Sequence, residues 1–141
     1  MRIWIDVLTP KQANLFSVLA RRVIEQGHEV LVTTRKYREV EQLLMIRGTD
    51  AAIIGEHGGG DLVRKLVESS KRTTELAAYV DKEAPDLAIS YCSPEAARAS
   101  FGLGLPHYTM CDSPHAEAVC RLSLPLSRKL FAPRAIPKNA W

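Results

Sequence analysis

One alternation runs the length of this chain: a short apolar run, then a longer stretch whose apolar residues recur at helical spacing, five times over. Arg2–Leu8 (RIWIDVL) is β-branched and nearly continuously apolar, which suits a strand buried on both faces. In the following TPKQANLFSVLARRVIEQG, Leu15, Phe16, Leu19, Val23 and Ile24 share a helical face, while Arg21, Arg22 and Glu25 take the wet one. Gly27 stands in the usual place for a helix stop. The same reading places strands at Glu29–Thr34, Ala51–Gly55, Leu87–Tyr91 and His107–Cys111, with a short sixth at Lys129–Ala132. Helices are expected at Tyr37–Gly48, Asp61–Glu83, Pro94–Phe101 and Pro114–Leu122. Within Asp61–Glu83, Leu62, Val63, Leu66, Val67, Leu76, Ala77 and Val80 form the apolar stripe, and Pro85 ends the helix. Strands alternating with helices predict an α/β, Rossmann-like three-layer sandwich with a mostly parallel sheet of about six strands and right-handed crossovers.

Size and charge narrow the function classes. A chain of 141 residues is one domain, large enough for a real core. Residues 1–132 carry the alternation, and 133–141 form a tail broken by Pro133 and Pro137 and ending on Trp141. The net charge of +3 is small and its basic residues are dispersed, so no nucleic-acid partner is implied. No apolar run reaches the ~18 residues of a membrane span. The start MRIWIDVL lacks a signal-peptide layout. The three cysteines, Cys92, Cys111 and Cys120, show no metal-binding spacing, and the expectation is a reduced, cytoplasmic protein.

The candidate site lies at the helix starts. Thr9-Pro10, Ser93-Pro94 and Ser113-Pro114 each put a hydroxyl residue and a proline directly after a strand, the pattern of an N-cap followed by the first helical position. Thr9-Pro10-Lys11-Gln12 has the form of a capping box. In a parallel sheet these turns share one edge, where helix N-termini offer free N–H groups and ligands bind. The loop GEHGGGD opens on that edge too, and Gly58, Gly59 and Gly60 let backbone amides approach an anion. Neither a Walker A loop nor a G-x-G-x-x-G fingerprint is present. The rim is therefore expected to take an anionic or polyhydroxyl ligand through Thr9, Lys11, Gln12, Gly58, Gly59, Gly60, Ser93, Glu95, Ser113 and His115.

Individual residues carry two readings each. Asp6 inside the first strand needs a partner, either a structural one near the strand end such as the Thr9 region, or a ligand. His57 is a candidate acid/base or phosphate contact, or a solvated loop residue. Asp112 ends the fifth strand; Ser113 is expected to cap the next helix, and His115, in its first turn, to stay neutral as a base or donor. Glu117 suits the helix N-terminus without chemistry. His28 and His107 read as structural, and Cys92 and Cys111 as small apolar residues. Asp112, His115 and His57 have no recognised metal-ligand spacing, so no metal is assigned.

The segments MRIWIDVLTPKQANLF, GHEVLVTTR, GEHGGG, SYCSPEAARASFGLGLP and DSPHAEAVCRLSLPL together resemble an uncharacterised, largely archaeal family, domain of unknown function 354. That family is similar to the N-terminal half of GT-B glycosyltransferases and of UDP-N-acetylglucosamine 2-epimerase. The resemblance implies a second Rossmann-like domain, supplied in cis or in trans, with the active site in the cleft between the two. It also implies that this half shapes the acceptor side while the nucleotide of the sugar donor sits mainly on the other. The corresponding loops of the epimerase carry acidic catalytic groups, and Asp112 is the nearest positional match. The expected function is the acceptor-side half of a glycosyltransferase or nucleotide-sugar epimerase, with a sugar or phosphate ligand, a nucleotide sugar as substrate and no separate cofactor. Asp112 or His57 would be the general base. The alternative is a free-standing module that binds a metabolite without chemistry, or that forms a homodimer.

Overall fold

In the computed structural model, which describes residues 1–141, β1 (Arg2–Val7) runs through the middle of the molecule and is buried along almost its whole length. It is flanked in parallel by β2 (Glu29–Lys36) and β4 (Leu87–Ser90). β3 (Ala52–Glu56), β5 (His107–Met110) and β6 (Lys129–Phe131) complete an all-parallel, six-stranded sheet in the order β3-β2-β1-β4-β5-β6. The order reverses between β1 and β4, which defines the crevice where open α/β sheets bind ligands.

Alternation along β1 divides the core. Ile3, Ile5 and Val7 face α1 (Pro10–Glu25) and α2 (Val40–Ile46), packing with Ala13, Phe16, Ala20, Val40 and Leu44. Trp4 faces the other layer, α3 (Leu62–Glu83) and α4 (Pro94–Gly102), with Leu76, Val80, Ala88, Ala96 and Ala99. α5 (Glu117–Ser123) lies beside α4. Each fully buried large apolar side chain contributes about 1.5–3 kcal/mol, so Trp4, Ile5 and Phe16 anchor both layers.

The boundaries differ from the sequence reading in ways with physical causes. On α1, Phe16 is core, but Leu15 and Ile24 are exposed; Ala13, Ser17 and Ala20 meet the sheet instead, because small residues let the helix approach closely. α2 is only seven residues, with Glu39 as its N-cap and no side-chain cap bond. On α3, Leu62, Val63 and Leu66 are exposed, and the buried residues are Arg72, Leu76 and Val80. A helix of 22 residues is about 33 Å long, whereas a five-residue strand is about 17 Å, so the N-terminal half of α3 overhangs the rim. α5 starts at Glu117, not at Pro114. Gly27 has a φ of 81° just past α1, as its stop position requires.

No helix is long and apolar enough to cross a membrane.

Candidate functional site

The rim is built on a buried ionic network. Asp6 is fully buried on the Trp4 face of β1, and a lone carboxylate there would be untenable. Its partner is not the Thr9 region but Arg72 of α3. The guanidinium spans the carboxylate, with Nη2 donating to Oδ1 at 2.6 Å and Nη1 to Oδ2 at 3.1 Å. Thr33 Oγ1 and Ser93 Oγ donate to the two oxygens at 2.6 and 2.7 Å, and Trp4 Nε1 donates to Thr33 Oγ1 at 2.8 Å. Burial opposes ionisation of Asp6, but Arg72, with Thr33 and Ser93, outweighs it and holds the carboxyl below its ordinary value. Arg72 reaches this position because Gly55, at φ 73°, leaves space; a Cβ there would stand 3.0 Å from the Arg72 side chain.

Two of the three expected hydroxyl caps are present. Thr9 Oγ1 accepts from the Gln12 amide at 3.4 Å, and Ser93 Oγ accepts from the Ala96 amide at 3.1 Å. The capping box is displaced by one residue: Gln12 Oε1 accepts from the amide of Leu8 at 2.7 Å, while its Nε2 donates to the Tyr91 carbonyl at 3.3 Å. Gln12 thus ties the β1 turn to the β4 turn across the crevice. Ser113 does not cap. Its hydroxyl donates to Asp112 at 2.9 Å, and a tight turn from Ser113 to Ala116 delays α5.

Above the network opens a cleft of about 280 Å³, lined by Thr9, Lys11, Gln12, Arg35, Tyr91, Cys92, Cys111, Asp112 and Ser113, with Leu8, Ala116 and Val119. Lys11 Nζ donates to Asp112 Oδ2 at 2.8 Å and stands 4.6 Å from the centre of the Tyr91 ring. The hydrogen bond from Lys11 dominates over partial burial and, with Ser113 and Tyr91, lowers the Asp112 pKa to about 2. Arg35 enters from the end of β2, 84% of its side chain withdrawn from solvent, with one Nη 3.9 Å from Glu95 and its Nε unpartnered. Burial, against the pull of Glu95, lowers its pKa. The sequence reading missed Arg35, next to last in β2, and Tyr91, just past β4, which resemble ordinary strand residues; only the strand order places them in the crevice.

The other expected site residues are elsewhere. Glu95 is 4% exposed and closes the network, 3.9 Å from both Arg35 and Arg72 and 3.4 Å from Ser93 Oγ. His115 is exposed and outside the cleft lining. His57 stacks on Tyr37 with ring centres 4.4 Å apart, and its Nδ1 accepts from the Gly59 amide at 3.0 Å. Partial burial, then Arg35, Lys65 and Arg38, lower its pKa and favour the neutral ring. Gly58 is held by packing, since a Cβ would come within 2.5 Å of the Lys65 backbone, whereas Gly59 and Gly60 face open space. The glycine loop sits over the β2–β3 side and does not line the cleft. His107 is structural, bonded at 2.9 Å to both Ser90 and Ser127, and burial lowers its pKa to about 4.

Among solved structures, the chain is similar to UDP-GlcNAc 2-epimerase from Neisseria meningitidis bound to UDP-GlcNAc. The TM-score is 0.78 at 15% identity, over 99% of this chain and 45% of that one. It is also similar to the glycosyltransferase VinC in complex with dTDP, with a TM-score of 0.66 at 18% identity, over 89% of this chain and 38% of that one. At such identities the likeness establishes the fold alone, a Rossmann-like α/β domain. An uncharacterized protein of Methanocaldococcus jannaschii, MJ0665, is 31% identical over 137 residues, covering 97% of this chain. The chain spans 40% of that relative's length. A family model described as a protein of unknown function, DUF354, matches residues 1–141, and the chain belongs to that family.

Proposed function

We propose that this chain is the acceptor-side domain of a GT-B-like glycosyltransferase or nucleotide-sugar epimerase, and that the crevice between β1 and β4 takes the sugar or phosphate end of its ligand. The observation that carries this reading is the convergence of two cations, Lys11 and Arg35, with the start of α1 on a cleft at the strand-order reversal. Arg35 has a buried Nε without a partner, and Lys11 is held by a part-exposed carboxylate and the face of the Tyr91 ring. A phosphate would satisfy both cations. In taking Lys11 it would release Asp112 from the contact that most lowers its pKa, leaving a carboxylate free to accept a hydroxyl proton. Asp112 fits the base role better than His57, which is stacked on Tyr37 outside the cleft.

Two further observations support a second domain beyond residues 133–141. The neighbours of known structure pair this fold with additional chain, and Leu62, Val63 and Leu66 overhang the rim at 78, 70 and 69% exposure.

Calorimetric titration with N-acetylglucosamine 1-phosphate, UDP-N-acetylglucosamine and inorganic phosphate tests the reading. Saturable binding that weakens at least tenfold in Lys11→Met and Arg35→Met is expected. Binding equally strong in both variants would move the site elsewhere.

A further inference from the structure

The chain's three cysteines arrive from three different elements at one place. Cys92 follows β4, Cys111 follows β5, and Cys120 lies on α5; all are buried and free. Their sulfur atoms all lie within 4.8 Å of one another, with Cys111 Sγ and Cys120 Sγ 4.0 Å apart. We propose that these side chains form a site for one thiophilic d¹⁰ cation, Zn²⁺ or Cu⁺, bound by three thiolates at the edge of the cleft.

The spacing is that of ligands around a common centre. Three sulfurs about 2.3 Å from a central ion in one plane stand about 4.0 Å apart, and slightly less if a fourth ligand makes the site tetrahedral. Only sub-ångström movements separate the observed cluster from either arrangement. Soft sulfur ligands select this class of cation over the hard ions that prefer oxygen. The ion also has a way in, because Cys92 and Cys111 line the cleft while Leu124 and Leu130 close the far side. An open fourth position would face the cleft.

Small apolar packing accounts less well for two features. Cys92 has a φ of 47°, a left-handed conformation that any residue with a Cβ adopts at a cost and that glycine or asparagine would fill more easily. Its amide is fixed in that position by Thr109 Oγ1 at 3.0 Å. A strained backbone that aims a thiol at two others is the arrangement expected of a ligand. The Ser113 amide also points at Cys111 Sγ at 3.5 Å, a donor that supports a thiolate.

Binding would be a proton-for-metal exchange. Each thiol gives up its proton to solvent as its sulfur bonds the ion, and nothing is oxidised. The resulting complex carries one negative charge with Zn²⁺ or two with Cu⁺.

The test is titration of the reduced chain with Co²⁺ as a spectroscopic probe, followed by displacement with Zn²⁺ and, separately, by competition for Cu⁺ against a chelator. One Co²⁺ per chain with thiolate-to-cobalt charge-transfer absorption is expected. Because the sequence holds only these three cysteines, that band reports the cluster without any variant. Cys92→Ala, Cys111→Ala and Cys120→Ala should each lower affinity at least tenfold, with circular dichroism verifying the fold. Wild-type protein that shows no charge-transfer band and no stoichiometric Zn²⁺ or Cu⁺ uptake overturns the proposal. So does uptake that survives all three variants.

Discussion

Asp6 and Asp112 both belong to the same edge of one sheet, and both are paired with a cation, yet they are built for opposite purposes. The Asp6 carboxylate and Arg72 are wholly withdrawn from water, and the Thr33 and Ser93 hydroxyls both donate to the carboxylate. Asp112 keeps 35% of its side chain exposed, and its partner Lys11 keeps 60%. The buried pair fixes geometry: it locks β1 to α3, β2 and the start of α4, and so sets where the crevice lies. The open pair is cheap to break, which is what a ligand site needs. Depth in the protein, more than charge or spacing, separates the frame from the candidate site.

The largest effect should come from breaking the buried pair. Arg72→Met leaves Asp6 uncompensated and should cost about 3–5 kcal/mol in urea denaturation, and adding Asp6→Asn should recover part of the loss. Recovery of nothing would show that Arg72 acts through its packing alone.

Acid should strain the fold through His107. Its folded pKa of about 4 lies below the ordinary value of about 6.5, so the unfolded chain binds the proton first. The stability it contributes is present above pH ~6.5 and is lost as pH falls through ~4, by about 3 kcal/mol at most. His107→Gln should flatten the denaturation midpoint over that range. An unchanged slope would assign the acid sensitivity to other groups. Asp6 acts at lower pH, stabilising above the ordinary carboxylate range and ceasing to do so as pH falls through its depressed folded value.

Within the glycine loop, Gly58→Ala must push the α3 backbone and should cost about 1–3 kcal/mol, whereas Gly60→Ala, facing open space, should change the melting temperature little. Equal costs would mean that the loop is strained for a reason other than this contact. The smallest effect on stability belongs to the open pair. Lys11→Met and Asp112→Asn should each change it by less than about 1 kcal/mol. A larger loss would place the Lys11–Asp112 pair with the frame.

Much of this was legible in order and little of it in depth. The apolar runs and helix stops locate all six strands, because a strand buried on both faces must be apolar and short. They also bring Thr9, Lys11, Gln12, Asp112 and Ser113 to one cleft. Arg72 was missed because a single arginine in a helical stripe reads as solvated, and nothing local links it to Asp6, 66 positions away. Part of the signal was present: a carboxylate inside an apolar strand requires a buried partner, and Gly55 in β3 clears space for the Arg72 side chain. The overhang of α3 follows from comparing its length with that of β3, which a stripe of apolar residues does not reveal. The cysteine cluster has no sequence spacing to read, because adjacency of β4 and β5 brings Cys92 and Cys111 together.

The most direct test of the central claim, that the β1–β4 crevice is the ligand site, is a two-dimensional amide NMR titration of this chain with N-acetylglucosamine 1-phosphate. The account predicts saturable shifts concentrated at Thr9–Gln12, Tyr91–Ser93 and Asp112–Ser113, with the His57–Gly60 loop little affected and the shifts lost in Arg35→Met. Saturable shifts centred on the glycine loop, or no shifts at millimolar ligand, would contradict it.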